Sequence, residues 1–266
     1  MGFSWYESAL RTEHKRIKAR AEKFVESLIN ALQVGHKSIR PPFRFGVPVP
    51  HIVEALTWYQ IDLVVLGARG VSGVRRFLLG SVSDWVLNEA QCSVLIVRGT
   101  HLPVLESDWP CIHILFATDG SSGACSAMRF LALLIFPPSS QITILHVFEA
   151  LEEERPHLED SIGMMEDWVD FIQSPEEILE SQEQADNAVL KETRHSLKQP
   201  DLIVKEIILK EHVAEEIIQT AKLRKVDLVM LGTEDAIGRK GVHLGSVLRH
   251  VVRHAHCSVL VVRPRM

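Results

Sequence analysis

The chain has 266 residues, of which 46% are hydrophobic and 24% are charged, and its formal net charge is -5. This is ordinary globular composition, which excludes a fully disordered chain, a collagen-like repeat and a coiled-coil rod, and the length allows one large domain or two small ones. No apolar run is long enough for a membrane span, and the basic first thirty residues lack the apolar segment of a secretory signal, so we expect a cytoplasmic protein without membrane contact.

The first hundred residues contain patterns of both helix and strand. Apolar residues recur at helical spacing near the start, and two short apolar runs further on are typical of strands buried on both faces. Ser81 lies between these runs and is expected to be a helix N-cap. The predicted elements in chain order are a helix over residues 8–32, a strand over 43–47, a helix over 51–60, a strand over 63–66, a helix after Ser81 and a strand over 94–97.

The rest of the chain repeats the alternation of buried strands and helices. Such alternation favours an α/β fold with a parallel sheet. The predicted elements are a strand over residues 112–117, a helix over 121–135, a strand over 141–148, a helix over 175–197, a strand over 202–209, a helix over 212–225, a strand over 228–231, a helix after the expected N-cap Ser246 and a strand over 259–262.

The end of each half is a duplicated unit. Residues 62–98 align without gaps on residues 227–263, and 18 of the 37 positions are identical. Cys92 and Cys257 are equivalent in this repeat. Because the four cysteines form no Cys-x-x-Cys pair and these two precede apolar runs, we interpret them as reduced packing residues.

The duplication predicts two doubly wound parallel-sheet units, one over residues 1–104 and one over residues 105–266. The second has five strands. The first has no counterpart of the strand–helix–strand over residues 112–173, so about sixty residues of a full unit are absent from it. Its helix over residues 51–60 is also expected to be one turn shorter than the helix over residues 212–225.

Charge is distributed unevenly along the second unit. Residues 149–186 carry fourteen acidic side chains and one base, Arg155, which leaves 28 basic and 20 acidic residues elsewhere. A block of like charge is typical of a solvated loop. Because this block repels phosphate backbones and no dense Lys/Arg run accompanies it, we do not expect nucleic-acid binding.

Glycines follow the strand that opens each repeat. The first copy has the spacing Gly67-x2-Gly70-x9-Gly80-Ser81. Ligands of open α/β sheets bind beyond the carboxyl ends of strands, and glycines followed by a helix N-terminus can hold a phosphate there. The alternative is that these glycines only permit tight turns. The length of the pattern and its partial repetition as Gly232, Gly245 and Ser246 favour the phosphate interpretation.

This glycine pattern, between strands of the DLVVLG and SVLIVR type, resembles that of the universal stress protein family. The segment from residue 114 to residue 121 resembles the family's first strand and acidic turn, and Leu145-His146-Val147 resembles its second strand. The resemblance covers nearly the whole chain as a tandem pair. It implies a five-stranded parallel sheet of order 3-2-1-4-5 and the binding of ATP. We therefore expect ATP or AMP as the ligand, together with magnesium.

By the same resemblance, Asp119 would contact the adenosine and the backbone of Val147 would hold the adenine. Ribose and phosphates would be lined by Gly67, Gly70, Gly80 and Ser81 in the first copy and by Gly232, Gly245 and Ser246 in the second. Both copies depart from the pattern. The first lacks the strands that supply the aspartate and the adenine pocket, and in the second Asp235 replaces the second glycine, beside Glu234.

Three classes of function are consistent with these residues. The first is a stress-response regulatory protein that binds an adenine nucleotide without efficient catalysis. The second is a nucleotide-free interaction scaffold for an unidentified protein partner, and the third is a slow ATPase in which Glu234 and Asp235 hold a metal. His250 and His254 are four residues apart, with His243 shortly before them and His256 just beyond. Because no Glu lies between the pair in an HExxH pattern, an exposed histidine-rich helix face is favoured over a metal site.

The last strands of the two halves are expected to pair with each other. Residues 94–97 and 259–262 are apolar runs at the ends of sheets, and unpaired apolar edges promote pairing. By the family resemblance, dimers join through this strand. We therefore expect an intramolecular pseudo-dimer about a pseudo-two-fold axis. A homodimer of the whole chain is the alternative assembly.

We predict that Asp235→Gly tightens ATP binding about tenfold, because a carboxylate near the phosphates opposes their charge and a non-glycine restricts the loop. Calorimetric titration of ATP and AMP, with and without magnesium, measures the change. Magnesium should reduce the difference in ATP affinity between wild type and variant, since it neutralises the phosphates. Unchanged or weaker ATP binding in the variant would show that this loop does not face phosphate.

Overall fold

The computed structural model describes six stretches of the chain in continuous form. These are residues 46–68, 79–98, 111–148, 202–210, 212–233 and 244–264. Isolated positions are described as well, namely residues 12, 13, 15, 16, 19, 23, 191, 194, 195 and 197. The statements below refer to this part of the chain.

Seven strands and five helices lie in the continuous stretches. We number them as α1 (Pro48–Trp58), β1 (Leu63–Gly67), α2 (Ser81–Glu89), β2 (Ser93–Val97), β3 (His113–Thr118), α3 (Ser122–Leu133), β4 (Gln141–Phe148), β5 (Ile203–Lys210), α4 (Val213–Leu223), β6 (Leu228–Gly232), α5 (Ser246–His254) and β7 (Ser258–Val262). The two copies correspond element by element from α1 to β2 and from α4 to β7.

All seven strands form one sheet, in the order β1-β2-β7-β6-β3-β4-β5. Neighbouring strands are parallel except at one place, where β2 and β7 are antiparallel. The five strands of the second copy therefore have the order 3-2-1-4-5 when they are numbered along that copy. The α/β fold with a largely parallel sheet is confirmed, and the first copy contributes two described strands.

Both faces of the sheet are covered, which explains the apolar runs of its central strands. One core cluster includes Leu115, Leu145 and Val259, and the other includes Phe116, Ile144 and Met230 on the opposite face. Alternate residues of a strand point to opposite faces, so a strand covered on both sides must be apolar throughout. Among the described helices, none is long and apolar enough to cross a membrane.

The antiparallel pair joins the two copies about a pseudo-two-fold axis. Leu95 lies opposite Leu260, its equivalent in the repeat, and Val94 and Ile96 lie opposite Val261 and Val259. This register is symmetric about the Leu95–Leu260 pair. The predicted pairing of the last strands of the two halves is thus confirmed.

Two equivalent arginines reinforce the junction. Arg98 follows β2 and donates from Nη2 to the carbonyl oxygen of Val252 in α5, and Arg263 follows β7 and donates from Nη2 to the carbonyl oxygen of Leu87 in α2, at 2.6 Å. Each guanidinium therefore reaches the last turn of the other copy's helix, where carbonyl groups lack partners within the helix and a positive charge is favourable. The backbone N–H of Arg263 also donates to Ser93 Oγ at 3.2 Å.

The structure corrects three of the predicted details. The helix expected over residues 51–60 spans Pro48–Trp58, because a proline is well tolerated in the first helical turn. Its counterpart in the second copy, Val213–Leu223, has the same length and lies 165 residues further along the chain, so no turn is deleted. Ser81 and Ser246 are the first helical residues and not N-caps. The caps are Gly80 and Gly245, whose carbonyls accept the first helical bonds from Asp84 and Arg249.

Some predicted elements lie wholly or partly outside the described residues. Residues 46 and 47, the described end of the expected strand over 43–47, are not in a strand. The isolated positions described between residues 12 and 23 are helical, as are residues 191, 194 and 195. The remaining parts of the helices expected over 8–32 and 175–197 are outside the description.

The two equivalent cysteines lie where packing was expected. Cys257 is buried, and Cys92 is half-buried against the same core cluster. Desolvation by burial is the main cause that raises the pKa of the Cys257 thiol to about 11 and also raises the pKa of Cys92. A thiol with a raised pKa remains protonated and unreactive near neutral pH.

We predict that Asp84 and Arg253 stabilise the junction by a coupling free energy of about 0.2–1 kcal/mol, the usual range for a partly exposed ion pair. Arg253 Nη2 lies 3.2 and 3.3 Å from the two carboxylate oxygens of Asp84 and links the two copies. Urea unfolding of Asp84→Ala, Arg253→Ala and the double variant measures the coupling. The coupling free energy should decrease in high salt. If the double variant loses only the sum of the stability losses of the two single variants, the ion pair contributes nothing.

Candidate functional site

A cavity of about 440 Å³ opens at the carboxyl ends of the second copy's strands. It lies where β3 and β6 separate, since their pairing ends at Ala117↔Leu231. The chain runs from β3 toward β4 on one side and from β6 toward β7 on the other, so this is the switch point at which ligands bind in open α/β sheets. The lining residues are Ala117, Thr118, Asp119, Ser121, Ala124, Leu145, Val147, Val213, Ile217, Leu231, Gly232, Thr233, Gly245, Val247 and Leu248.

Asp119 reaches the cavity on a tight turn between β3 and α3. Its Oδ1 accepts a hydrogen bond from the backbone N–H of Ser121 at 3.0 Å, and the N–H of Gly120 donates to Thr118 Oγ1 at 3.2 Å. Gly120 has a φ of 77°, a left-handed conformation that favours glycine. Ser121 then caps α3 by accepting from the N–H of Ala124 at 3.2 Å.

Val147 lies where β4 extends past its neighbour β3. The pairing of β3 with β4 ends at Thr118↔His146, whereas the pairing of β4 with β5 continues through Val147↔Leu209 to the next residue. The backbone of Val147 therefore passes the cavity on the side where β3 has already turned away. This position suits recognition of a ligand by main-chain groups.

Gly232 ends β6 against the start of α3. A Cβ at this position would lie 2.1 Å from the carbonyl oxygen of Gly123 and 2.6 Å from the backbone N of Ala124. No side chain fits there, so the glycine allows helix α3 to approach the sheet closely. The need for glycine at this position is explained by packing, and this close approach forms one wall of the cavity.

Gly245 has the opposite surroundings. Its φ of -54° and ψ of 155° are allowed for any residue, and a Cβ there would have no atom of the described residues within 4 Å. Helix α5 begins directly after it, and its first intrahelical bond runs from the N–H of Arg249 to the carbonyl of Gly245. The N–H groups of the residues between them have no partner within the helix, and the positive end of the helix dipole lies at the cavity.

Eight of the nine predicted binding residues are described, and they are divided between two places. Asp119, Val147, Gly232 and Gly245 line the cavity, and Ser246 begins α5 at its edge. Gly67, Gly80 and Ser81 occupy the equivalent strand end and helix start in the first copy, across the junction, and line no part of this cavity. Gly70, Glu234 and Asp235 lie outside the described residues.

Sequence reasoning missed the apolar wall opposite Asp119. Val213 and Ile217 come from the start of α4, and Leu231 and Leu248 come from β6 and α5. The helical pattern of α4 was recognised, but apolar residues that face a cavity look the same in a sequence as residues that face a core. Thr118 and Thr233, the residues that end β3 and follow β6, add hydroxyl groups to the same cavity.

Charge is sparse in the described lining, where Asp119 is the only ionisable residue. Within the described stretches no three His, Cys, Asp or Glu side chains form a cluster that could hold a metal ion. His250 lies 3.6 Å from Glu215 through Nε2, and its ring contacts that of His254 on the outer side of α5. The described site therefore offers apolar contact, hydroxyls and backbone N–H groups.

Comparison with known proteins identifies the family. The profile of the universal stress protein family matches residues 3–98 and residues 112–263. Because these two matches cover most of the chain, it belongs to the universal stress protein family, in a tandem form.

Individual relatives support this assignment. A universal stress protein of Mycobacterium bovis is 26% identical over 260 residues, covering 94% of this chain and 77% of the relative. One from Mycolicibacterium smegmatis is 29% identical over 208 residues, which are 77% of this chain and 62% of that protein. The crystal structure of a universal stress protein from Archaeoglobus fulgidus shares the fold, with a TM-score of 0.61, 22% identity and coverage of 94% of this chain and 80% of its own.

We predict that Gly232→Ala destabilises the protein by about 1–3 kcal/mol, because the new methyl group collides with the backbone of α3 and the helix must shift. Thermal or urea unfolding measures this loss. Gly245→Ala is the matched control, since its methyl group meets no atom within the described part of the chain and its backbone angles suit alanine. Equal stabilities of the two variants would contradict the close packing at Gly232.

Proposed function

We propose that the protein is a stress-response regulatory protein that binds an adenine nucleotide, AMP or ATP, in the cavity of its second copy. The observation that carries the proposal is the convergence of Asp119, Val147 and Gly245 on one cavity of about 440 Å³ at the switch point of the sheet. Family membership supports it, because these residues occupy the positions that the resemblance assigns to adenosine, adenine and phosphate.

The residues present fit such a ligand. The apolar wall of Leu145, Val213 and Ile217 suits the faces of a purine ring, and the backbone of Val147 beyond the end of β3 suits its polar edge. Asp119 is held by Ser121 in an orientation that a ribose hydroxyl or an amino group can meet.

The phosphates would lie at the start of α5. The open space beside Gly245 allows a phosphate to approach the backbone, and the N–H groups at the start of the helix point toward the same place. A ligand at this position would satisfy helix N–H groups that otherwise depend on water.

The described lining supports binding more than catalysis. It contains no lysine, arginine, histidine or cysteine that could act as a base or nucleophile, and Asp119 is held in a turn. In this proposal magnesium binds only together with ATP. Glu234 and Asp235 are the candidate ligands of the magnesium ion.

Gly245→Ala tests the proposal. We expect the variant to remain folded with only a small loss of stability, because alanine is a poorer N-cap than glycine. It should lose affinity for AMP and ATP by about tenfold or more, because its methyl group occupies the space needed by a phosphate. Isothermal titration calorimetry on the full chain measures the affinity. Mass spectrometry of the purified protein under native conditions would reveal a nucleotide that co-purifies.

Gly80→Ala is the matched control. Gly80 is the equivalent glycine of the first copy, with the same cap role and extended backbone angles, φ -67° and ψ 149°. It does not line the cavity, so its substitution should leave nucleotide affinity unchanged. Absence of AMP and ATP binding by the wild-type chain, with no co-purified nucleotide, would replace this proposal by the scaffold function.

A further inference from the structure

His146 is a buried polar side chain that lies beside the cavity without lining it. It belongs to β4, next to Val147, and successive residues of a strand point to opposite faces of the sheet. Val147 packs in the cluster on the cavity side. The imidazole therefore lies behind the site, on the face covered by α3, and is 5% exposed.

The His146 ring is bonded to the end of the strand that carries Asp119. Its Nδ1 lies 2.7 Å from the carbonyl oxygen of Thr118, the residue opposite it in the β3–β4 pairing. A carbonyl oxygen can only accept, so Nδ1 carries the proton and donates. A short hydrogen bond in a buried place holds its partner firmly, because water cannot replace the donor.

Further hydrogen bonds connect Thr118 to the turn that carries Asp119. The Thr118 hydroxyl accepts from the N–H of Gly120, the carboxylate of Asp119 accepts from the N–H of Ser121, and Ser121 Oγ accepts from the N–H of Ala124. These bonds run from β3 to the cap of α3. The imidazole holds the first peptide of this series, because the carbonyl oxygen that it binds belongs to the peptide between Thr118 and Asp119.

We infer that His146 is a positioning residue for Asp119: its hydrogen bond to the Thr118 carbonyl sets the orientation of the turn and thereby the affinity of the cavity for an adenine nucleotide. The part of this inference that concerns affinity rests on the proposed function. The part that concerns the turn does not, because it can be measured without a ligand.

Two substitutions at His146 separate the hydrogen bond from the bulk of the ring. His146→Asn keeps an N–H donor, since its Nδ2 is as many bonds from the backbone as Nδ1 of histidine. His146→Leu removes the donor and leaves the Thr118 carbonyl without it. We expect the leucine variant to bind AMP about tenfold more weakly than wild type, with affinity largely restored by asparagine.

Thr143→Val is the matched control for stability. Thr143 is a buried polar residue of the same strand, and its hydroxyl lies 3.0 Å from Nε2 of His113 near the opposite end of the strand. Its substitution also removes a side-chain hydrogen bond, in this case a partly buried one. We expect a similar fall in unfolding temperature and no change in AMP affinity.

Amide hydrogen exchange gives the readout that needs no ligand. The N–H groups of Gly120, Ser121 and Ala124 should exchange about tenfold faster in His146→Leu than in wild type or His146→Asn, and should be unchanged in Thr143→Val. Exchange at these amides that is unaffected by His146→Leu, or equally accelerated by Thr143→Val, would overturn the inference.

The two proposals fail in different ways. If the wild-type chain binds no AMP, the proposed function fails and amide exchange still decides whether His146 holds the turn. If wild type binds AMP and His146→Leu binds it equally well, the proposed function stands and the role of His146 is disproved.

Discussion

The antiparallel pairing of β2 with β7 is the contact on which the rest of the structure depends. It turns two parallel sheets into one, and the paired segments carry four buried valine and isoleucine side chains, namely Val94, Ile96, Val259 and Val261. Each would lie on an open sheet edge if the copies were separate, and an apolar edge of unpaired backbone groups promotes aggregation. Arg98 and Arg263 then fasten each strand to the last helical turn of the other copy.

The ligand site forms within the second copy. There β6 and β3 are interior strands, flanked by β7 and β4, and the place where they separate is enclosed by helices α3, α4 and α5. The first copy presents the equivalent glycines Gly67 and Gly80, but the described residues there include no strand that corresponds to β3. One described cavity therefore combines an acidic turn, a main-chain edge and a helix start.

Glycines of the same repeat turn out to have different physical roles. Gly232 is needed because the backbone of α3 lies where its side chain would be, whereas Gly245 faces open space and has ordinary backbone angles. Only the second leaves room for a ligand. A glycine pattern in a sequence therefore contains both packing positions and binding positions. The space around the Cβ position of each glycine shows which of the two it is.

The sequence by itself determined the elements, the duplication and the pairing of the last strands, because these depend on local periodicity and on residues repeated at an offset of 165. It placed Asp119, Val147 and Gly245 in one site through family resemblance. Some boundaries were wrong for local reasons, since Pro48 begins a helix and Gly80 and Gly245 cap helices in place of the serines that follow them.

Only the tertiary structure decided which glycine is a packing residue, which apolar side chains face a cavity, and that the His146 ring holds the turn of Asp119. These properties depend on distances between segments that are far apart in the chain. Periodicity reports which face of a strand or helix is apolar, but not whether that face meets a neighbouring element or the space for a ligand.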